Sequence, residues 1–171
     1  MKTWIDFYNS RASCFDSPEE IGCHYLDNKR ISPEYTTLEE ERIKEILQPK
    51  ANSTAYDLGC GAGYSSMLLA KYFKFVIGLD GGEQTIQKAT HYNDNIKFIR
   101  DDISELNAVS NDSIDFALLY GVIYNMGPIS SVISFSRNLS LKCNRGSRVL
   151  ICKIPNSKVF DSYQKYRNDK K

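Results

Sequence analysis

The chain has 171 residues, of which 42% are hydrophobic, 25% charged and 12% aromatic. That length and composition fit one domain with one real core, and they exclude disordered, collagen-like and low-complexity classes. A formal net charge of +1 sets up no overall field toward nucleic acid or an anionic membrane, although nine Lys/Arg against two Asp/Glu from Lys142 to Lys171 make the C-terminal segment basic.

No apolar run approaches the ~20 residues a bilayer span needs, and Met1-Lys2-Thr3-Trp4 does not open a signal peptide. Five cysteines without zinc or C-x-x-C spacing read as free thiols. A cytoplasmic protein without membrane association is expected, with no metal site.

Residues 1–50 read as an N-terminal helical cap or lid, the apolar and aromatic sequence from Trp4 through Tyr35 being what is free to roof a site on the core. Trp4, Phe7, Tyr8 and Arg11 fall at helical spacing, and the aromatic stripe reads as core packing. Ser17-Pro18-Glu19-Glu20 supplies an N-cap, a proline at the first helical position and a glutamate at the third. Thr37-Leu38-Glu39-Glu40 repeats the capping box, so a second helix is expected from there, with Leu38, Ile43, Ile46 and Leu47 on one side. It ends near Gln48, because Pro49 disfavours helical geometry in the residue before it. Asp27 to Tyr35 reads as loop.

From Ser53 onward short apolar runs alternate with helical segments. Thr54–Leu58, Phe75–Leu79, Ile96–Ile99, Ile114–Leu119 and Arg148–Ile154 read as five strands. Several lack the polar alternation of a sheet wetted on one face. Ser65–Phe73, Glu83–His91 and Ile129–Leu139 read as helices, with a shorter helical turn around Ile103–Val109. This rhythm predicts an α/β fold: a doubly wound, mostly parallel sheet with helices on both faces, comprising residues 51–154. Residues 155–171 form a basic segment in which Val159, Phe160, Tyr163 and Tyr166 fall at helical spacing, suited to docking on the domain.

In such sheets ligands bind at the carboxyl ends of the strands. The loop there after the first strand is Asp57-Leu58-Gly59-Cys60-Gly61-Ala62-Gly63-Tyr64. Its glycines let the backbone turn sharply and approach a ligand, and the amides of the following helix point into the same space. The dinucleotide fingerprint would place its third glycine at position 64, where this chain has Tyr64, so a pyrophosphate clamp is disfavoured.

An acid at the strand end followed by G-x-G-x-G resembles motif I of class I, Rossmann-like, S-adenosylmethionine (SAM)-dependent methyltransferases. The resemblance covers roughly Ala51 to Ile154 and implies SAM as cofactor. It implies that Asp57 helps bind the methionine amino group and that Gly59, Cys60, Gly61 and Gly63 lie against the cofactor. Asp80, 21 residues after Gly59 at the end of the second strand, matches the acid that accepts from both ribose hydroxyls, with Gly81 leaving room. Asp102 matches the acid that accepts from the adenine amino group, with the Ile103 amide near the ring. Tyr120 ends the fourth strand, which faces both cofactor and substrate.

Two departures stand beside these matches. Family members usually continue into a helix and a strand pair that completes seven strands, and here about seventeen residues follow Ile154. The Asn/Asp-Pro-Pro-Tyr/Phe of amino-methylating enzymes is replaced by Leu119-Tyr120-Gly121-Val122. The expected activity is methyl transfer to a small-molecule acceptor, with nucleic acid or protein acceptors left open. The alternative is a SAM-binding, catalytically inactive or truncated partner subunit. Tyr124 and His24 are the candidate catalytic residues, His24 because it lies in the segment such enzymes use as a lid. His91 reads as structural, closing a helix at its negative end.

Overall fold

The computed structural model describes residues 3–22, 25–26, 29–30, 32–89 and 94–154. Helix α1 (Trp4–Cys14) starts at a Thr3/Asp6 capping box, and α2 (Pro18–Ile21) is capped by Ser17 as the sequence predicts. Two short antiparallel strands, β1 (Tyr25–Leu26) and β2 (Lys29–Arg30), precede α3 (Pro33–Leu47).

This corrects the expected loop at Asp27–Tyr35 and the expected start at Thr37. Ser32-Pro33 repeats the cap-plus-proline signature of Ser17-Pro18, and the Ser32 hydroxyl accepts from the Tyr35 amide at 3.3 Å. Thr37 sits inside the helix with its hydroxyl turned back to the Pro33 carbonyl. Ile43 and Leu47 are buried, whereas Leu38 and Ile46 face outward. The helix stops at Gln48 in the left-handed conformation, one residue before Pro49.

Five parallel strands follow: β3 (Thr54–Leu58), β4 (Phe75–Asp80), β5 (Ile96–Arg100), β6 (Ile114–Tyr120) and β7 (Cys143–Cys152). Their order in the sheet is β5-β4-β3-β6-β7, the doubly wound arrangement expected. The connecting helices are α4 (Tyr64–Leu69), α5 (Glu83–Ala89) and α6 (Ile129–Lys142), while residues 103–109 form turns on the Asp102 carbonyl.

The near-continuous apolar run of β6 now has its reason. Ala117 and Leu119 pack with Phe135 and Leu139 of α6 on one face, and Phe116 and Leu118 pack with Ile43 and Leu47 of α3 on the other. Strand β7 starts at Cys143, five residues earlier than the sequence suggests. Ile114 pairs with Cys143 and Phe116 with Arg148, so residues 144–147, with Gly146 at φ +83°, bulge out of register. Asn144-Arg145-Gly146 hides the strand start because it carries turn chemistry. Among the described residues no helix is long and apolar enough to cross a membrane. Cys14, Cys60, Cys143 and Cys152 are free thiols.

Candidate functional site

At the carboxyl end of β3 the chain turns under main-chain control. The Gly59 and Cys60 amides both donate to the Leu79 carbonyl, at 2.7 and 3.0 Å, which locks the turn against β4. Gly59, Gly61 and Gly63 all have positive φ (+83°, +53° and +93°), a region costly for residues with a Cβ. Their surroundings differ. A Cβ on Gly59 would stand 2.5 Å from Val122 and one on Gly63 2.8 Å from the Phe98 ring, whereas one on Gly61 would meet nothing within 4 Å. The outer glycines are imposed by packing, and the central one leaves open space above the loop.

Asp80, the last residue of β4, closes that space from the neighbouring strand. Its Oδ2 accepts from the Gly61 amide at 3.0 Å and its Oδ1 from the Gly82 amide at 2.8 Å. Burial pushes its carboxyl up, against the lowering effect of the Gly82 and Gly61 amides and the Thr85 hydroxyl. Asp57 is fully buried beneath the loop, where its Oδ2 accepts from Ser65 at 2.8 Å and Ser66 at 2.6 Å while Oδ1 has no protein partner. Burial raises its pKa to about 6 in spite of those hydroxyls. Asp102, beyond β5, is exposed; its Oδ1 accepts from the Ser104 amide at 2.9 Å and hydroxyl at 2.7 Å, capping the following turn.

Above these groups lies a cavity of about 300 Å³. Gly59, Cys60, Gly61, Asp80, Gly81, Asp102, Ile103 and Tyr120 all line it. Asp57 and Gly63 do not; Asp57 is connected to it through Ser65, which does line it. Trp4, Ile5 and Tyr8 of α1 and Pro18 and Ile21 of α2 roof it. Of the two readings of the aromatic stripe, core packing or roof, Trp4 and Tyr8 take the roof position: both are half-buried and face the cavity, while Phe7 packs edge-on against each. Arg11 joins the two roof helices, donating to the Ile21 and Glu20 carbonyls at the end of α2 and stacking on Phe15.

A methyltransferase domain family model matches residues 49–166 of the chain. The chain belongs to that family. It is 28% identical over 90 residues to a 23S rRNA (uracil(1939)-C(5))-methyltransferase RlmD from Tolumonas auensis, a match covering 50% of this chain and 20% of that protein. The chain therefore spans about a fifth of that relative's length. Among solved structures it resembles a DhpI–SAM–HEP complex with a TM-score of 0.67 at 17% identity, over 94% of this chain and 69% of that one. It also resembles the YcgJ protein of Bacillus subtilis, with a TM-score of 0.64 at 18% identity, over 77% and 58%.

Within this methyltransferase fold Tyr120 has a neighbourhood the sequence does not reveal. Its hydroxyl donates to Glu39 of α3 at 2.7 Å, the other Glu39 oxygen pairs with Lys153, and Lys153 lies over the Tyr120 and Tyr35 rings. Burial, then Glu39, pushes the Tyr120 phenol up, so it stays protonated. Glu39 and Lys153 are 114 positions apart in sequence and carry no motif, so only the packing of α3 against β7 brings them together. Burial likewise raises the Cys60 thiol well above its usual value, which fits a small buried residue rather than a nucleophile. Tyr124 follows the cavity-lining Gly121 and Val122, with its hydroxyl 3.4 Å from where a Gly121 Cβ would stand. His24 and His91 lie outside the described residues, as do Val159, Phe160, Tyr163 and Tyr166.

Proposed function

We propose that this methyltransferase-family chain binds SAM in the cavity and transfers its methyl group to a small-molecule acceptor. The observation that carries the reading is the Asp80 carboxylate on the cavity wall, pinned by the Gly61 and Gly82 amides beside the one glycine of the loop with free space above it. Oδ2 accepts one bond and keeps a free acceptor site, and Oδ1 gains one when the Thr85 proton turns wholly to the Gly82 carbonyl, which together suit two ribose hydroxyls. Asp102 and the Ile103 amide would hold the adenine, and Asp57 would act on the amino group through the Ser65 side of the wall. Metal-ligating side-chain clusters are absent among the described residues.

SAM supplies an activated methyl on a sulfonium, so this chain's own task is alignment and the exclusion of water. Trp4, Ile5, Tyr8 and Ile21 exclude water from above, and Tyr64 and Tyr120, with ring centroids 6.0 Å apart, form an aromatic side wall. Tyr120 and Asn125 line the cavity on the side proposed for the acceptor; Tyr124 does not line it but stands beside Gly121, which does, and it is kept with His24 as an acceptor-side candidate. A roofed cavity of this size suits a small acceptor better than a macromolecule. Residues 1–50 act as a lid on the core of 51–154 within a single domain.

The experiment is incubation of cell extract with the protein and methyl-labelled SAM, followed by separation into small-molecule, RNA and protein fractions. Label in the small-molecule fraction is expected. Label in RNA, the acceptor type printed for the RlmD relative, overturns the choice of acceptor. A thermal shift with S-adenosylhomocysteine and no label anywhere identifies an inactive binding subunit instead. No shift with either SAM or S-adenosylhomocysteine overturns the cofactor assignment.

A further inference from the structure

Helix α5 begins directly behind Asp80, and its start is irregular in one respect. The residue before it is Gly82, which has no side chain with which to cap the free amides of the first turn. The cap comes from another helix: Asn9 of α1 places its Oδ1 3.0 Å from the Gln84 amide and accepts its proton. The same first turn holds Asp80. The Gly82 amide donates to Asp80 Oδ1 at 2.8 Å, and the Thr85 hydroxyl lies 3.2 Å from that oxygen and 2.9 Å from the Gly82 carbonyl, its single proton shared between them. Three polar groups thus converge on the Gly82 α-carbon. A Cβ there would stand 2.9 Å from Asn9 Oδ1 and 3.1 Å from Asp80 Oδ1, and it would collide with the Thr85 hydroxyl.

We infer that Asn9 is a positioning residue for Asp80. By capping α5 from the roof helix it fixes the turn whose amide and hydroxyl orient the Asp80 carboxylate toward the cavity. Asn9 does not line the cavity itself, so its effect on a ligand passes through Asp80. The inference rests on the cofactor reading above. It adds that the roof helix and the ribose-binding acid are energetically coupled, so the lid contributes to cofactor affinity through a hydrogen bond outside the cavity.

The test is calorimetric titration of the full chain with S-adenosylhomocysteine for wild type, Asn9→Ala, Asn9→Asp and Ser13→Ala. Alanine is the best helix former, so Asn9→Ala leaves α1 itself intact. Its Kd is expected to rise about fivefold, the effect of losing one cap. Asn9→Asp, which caps equally well, is expected to stay within about twofold of wild type. Ser13 meets the Gln84 side chain at 3.3 Å and leaves the first-turn amides alone, so Ser13→Ala is expected to bind like wild type. Hydrogen exchange at the Gln84 amide is expected to quicken in Asn9→Ala without ligand.

Wild-type affinity in Asn9→Ala, or an equal loss in Ser13→Ala, overturns the coupling while leaving the cofactor reading intact. Failure of Asn9→Asp to rescue overturns the capping role. Absence of binding by wild type overturns the cofactor reading itself.

Discussion

The floor of the cavity, from Asp57 to Gly82, is held by main-chain groups: the Gly59 and Cys60 amides on the Leu79 carbonyl, and the Gly61 and Gly82 amides on Asp80. The roof, from Trp4 to Gly22, reaches the core through side chains. Asn9 and Ser13 bond Gln84, Asp16 pairs with Lys88, and Ile5 lies over Gly81. Backbone bonds at positive φ admit few substitutions, whereas dispersed side-chain contacts can be lost one at a time. The floor is therefore expected to be brittle and the roof tolerant, with Asn9 the exception because it ends on the floor.

The largest effect is expected at Gly63. Alanine there must adopt φ +93° and place its Cβ 2.8 Å from the Phe98 ring, costing about 2–5 kcal/mol of stability. Denaturant unfolding measures this, and a loss below about 1 kcal/mol would show that the loop can yield. Next comes Asp80→Ala, which removes a charged acceptor: S-adenosylhomocysteine affinity is expected to fall about tenfold to a hundredfold by calorimetry. Unchanged binding by a folded variant would dissolve the distinction between floor and roof, because the floor would then hold nothing.

The third contrast uses pH. Asp57 ordinarily titrates at 3.8 and burial raises it to about 6, so the folded chain holds that proton more tightly than the unfolded chain. Its contribution to stability is full below 3.8 and is lost as pH rises through about 6. The melting temperature of the ligand-free protein is expected to carry this downward trend, and Asp57→Asn to remove it. Parallel wild-type and variant curves between pH 4 and 7 would contradict a buried, proton-holding Asp57. The smallest effect is expected in the roof: Ile5 is 48% exposed, and Ile5→Ala should cost less than about 1 kcal/mol by thermal unfolding. A larger loss would make the roof part of the core.

Sequence alone determined the sheet and its floor. Apolar runs such as Ile114–Leu119 are readable because a strand covered on both faces has no polar alternation, and the glycine turn is readable because positive φ restricts the residues that can occupy it. Eight of the ten residues expected at the cofactor line one cavity for that reason: they sit at strand ends whose positions the topology fixes. The tertiary structure decided what depends on distant side chains meeting. It decided between core and roof for Trp4 and Tyr8, moved the start of α3 to Pro33, and joined Tyr120 to Glu39 and Lys153. It also divided the three glycines by function, since Val122 and Phe98 crowd two of them and leave Gly61 open. Local chemistry sets which backbone conformations a segment can adopt; which surfaces face each other, and so which carboxylate ends at a cavity, is set by packing between elements far apart in the chain.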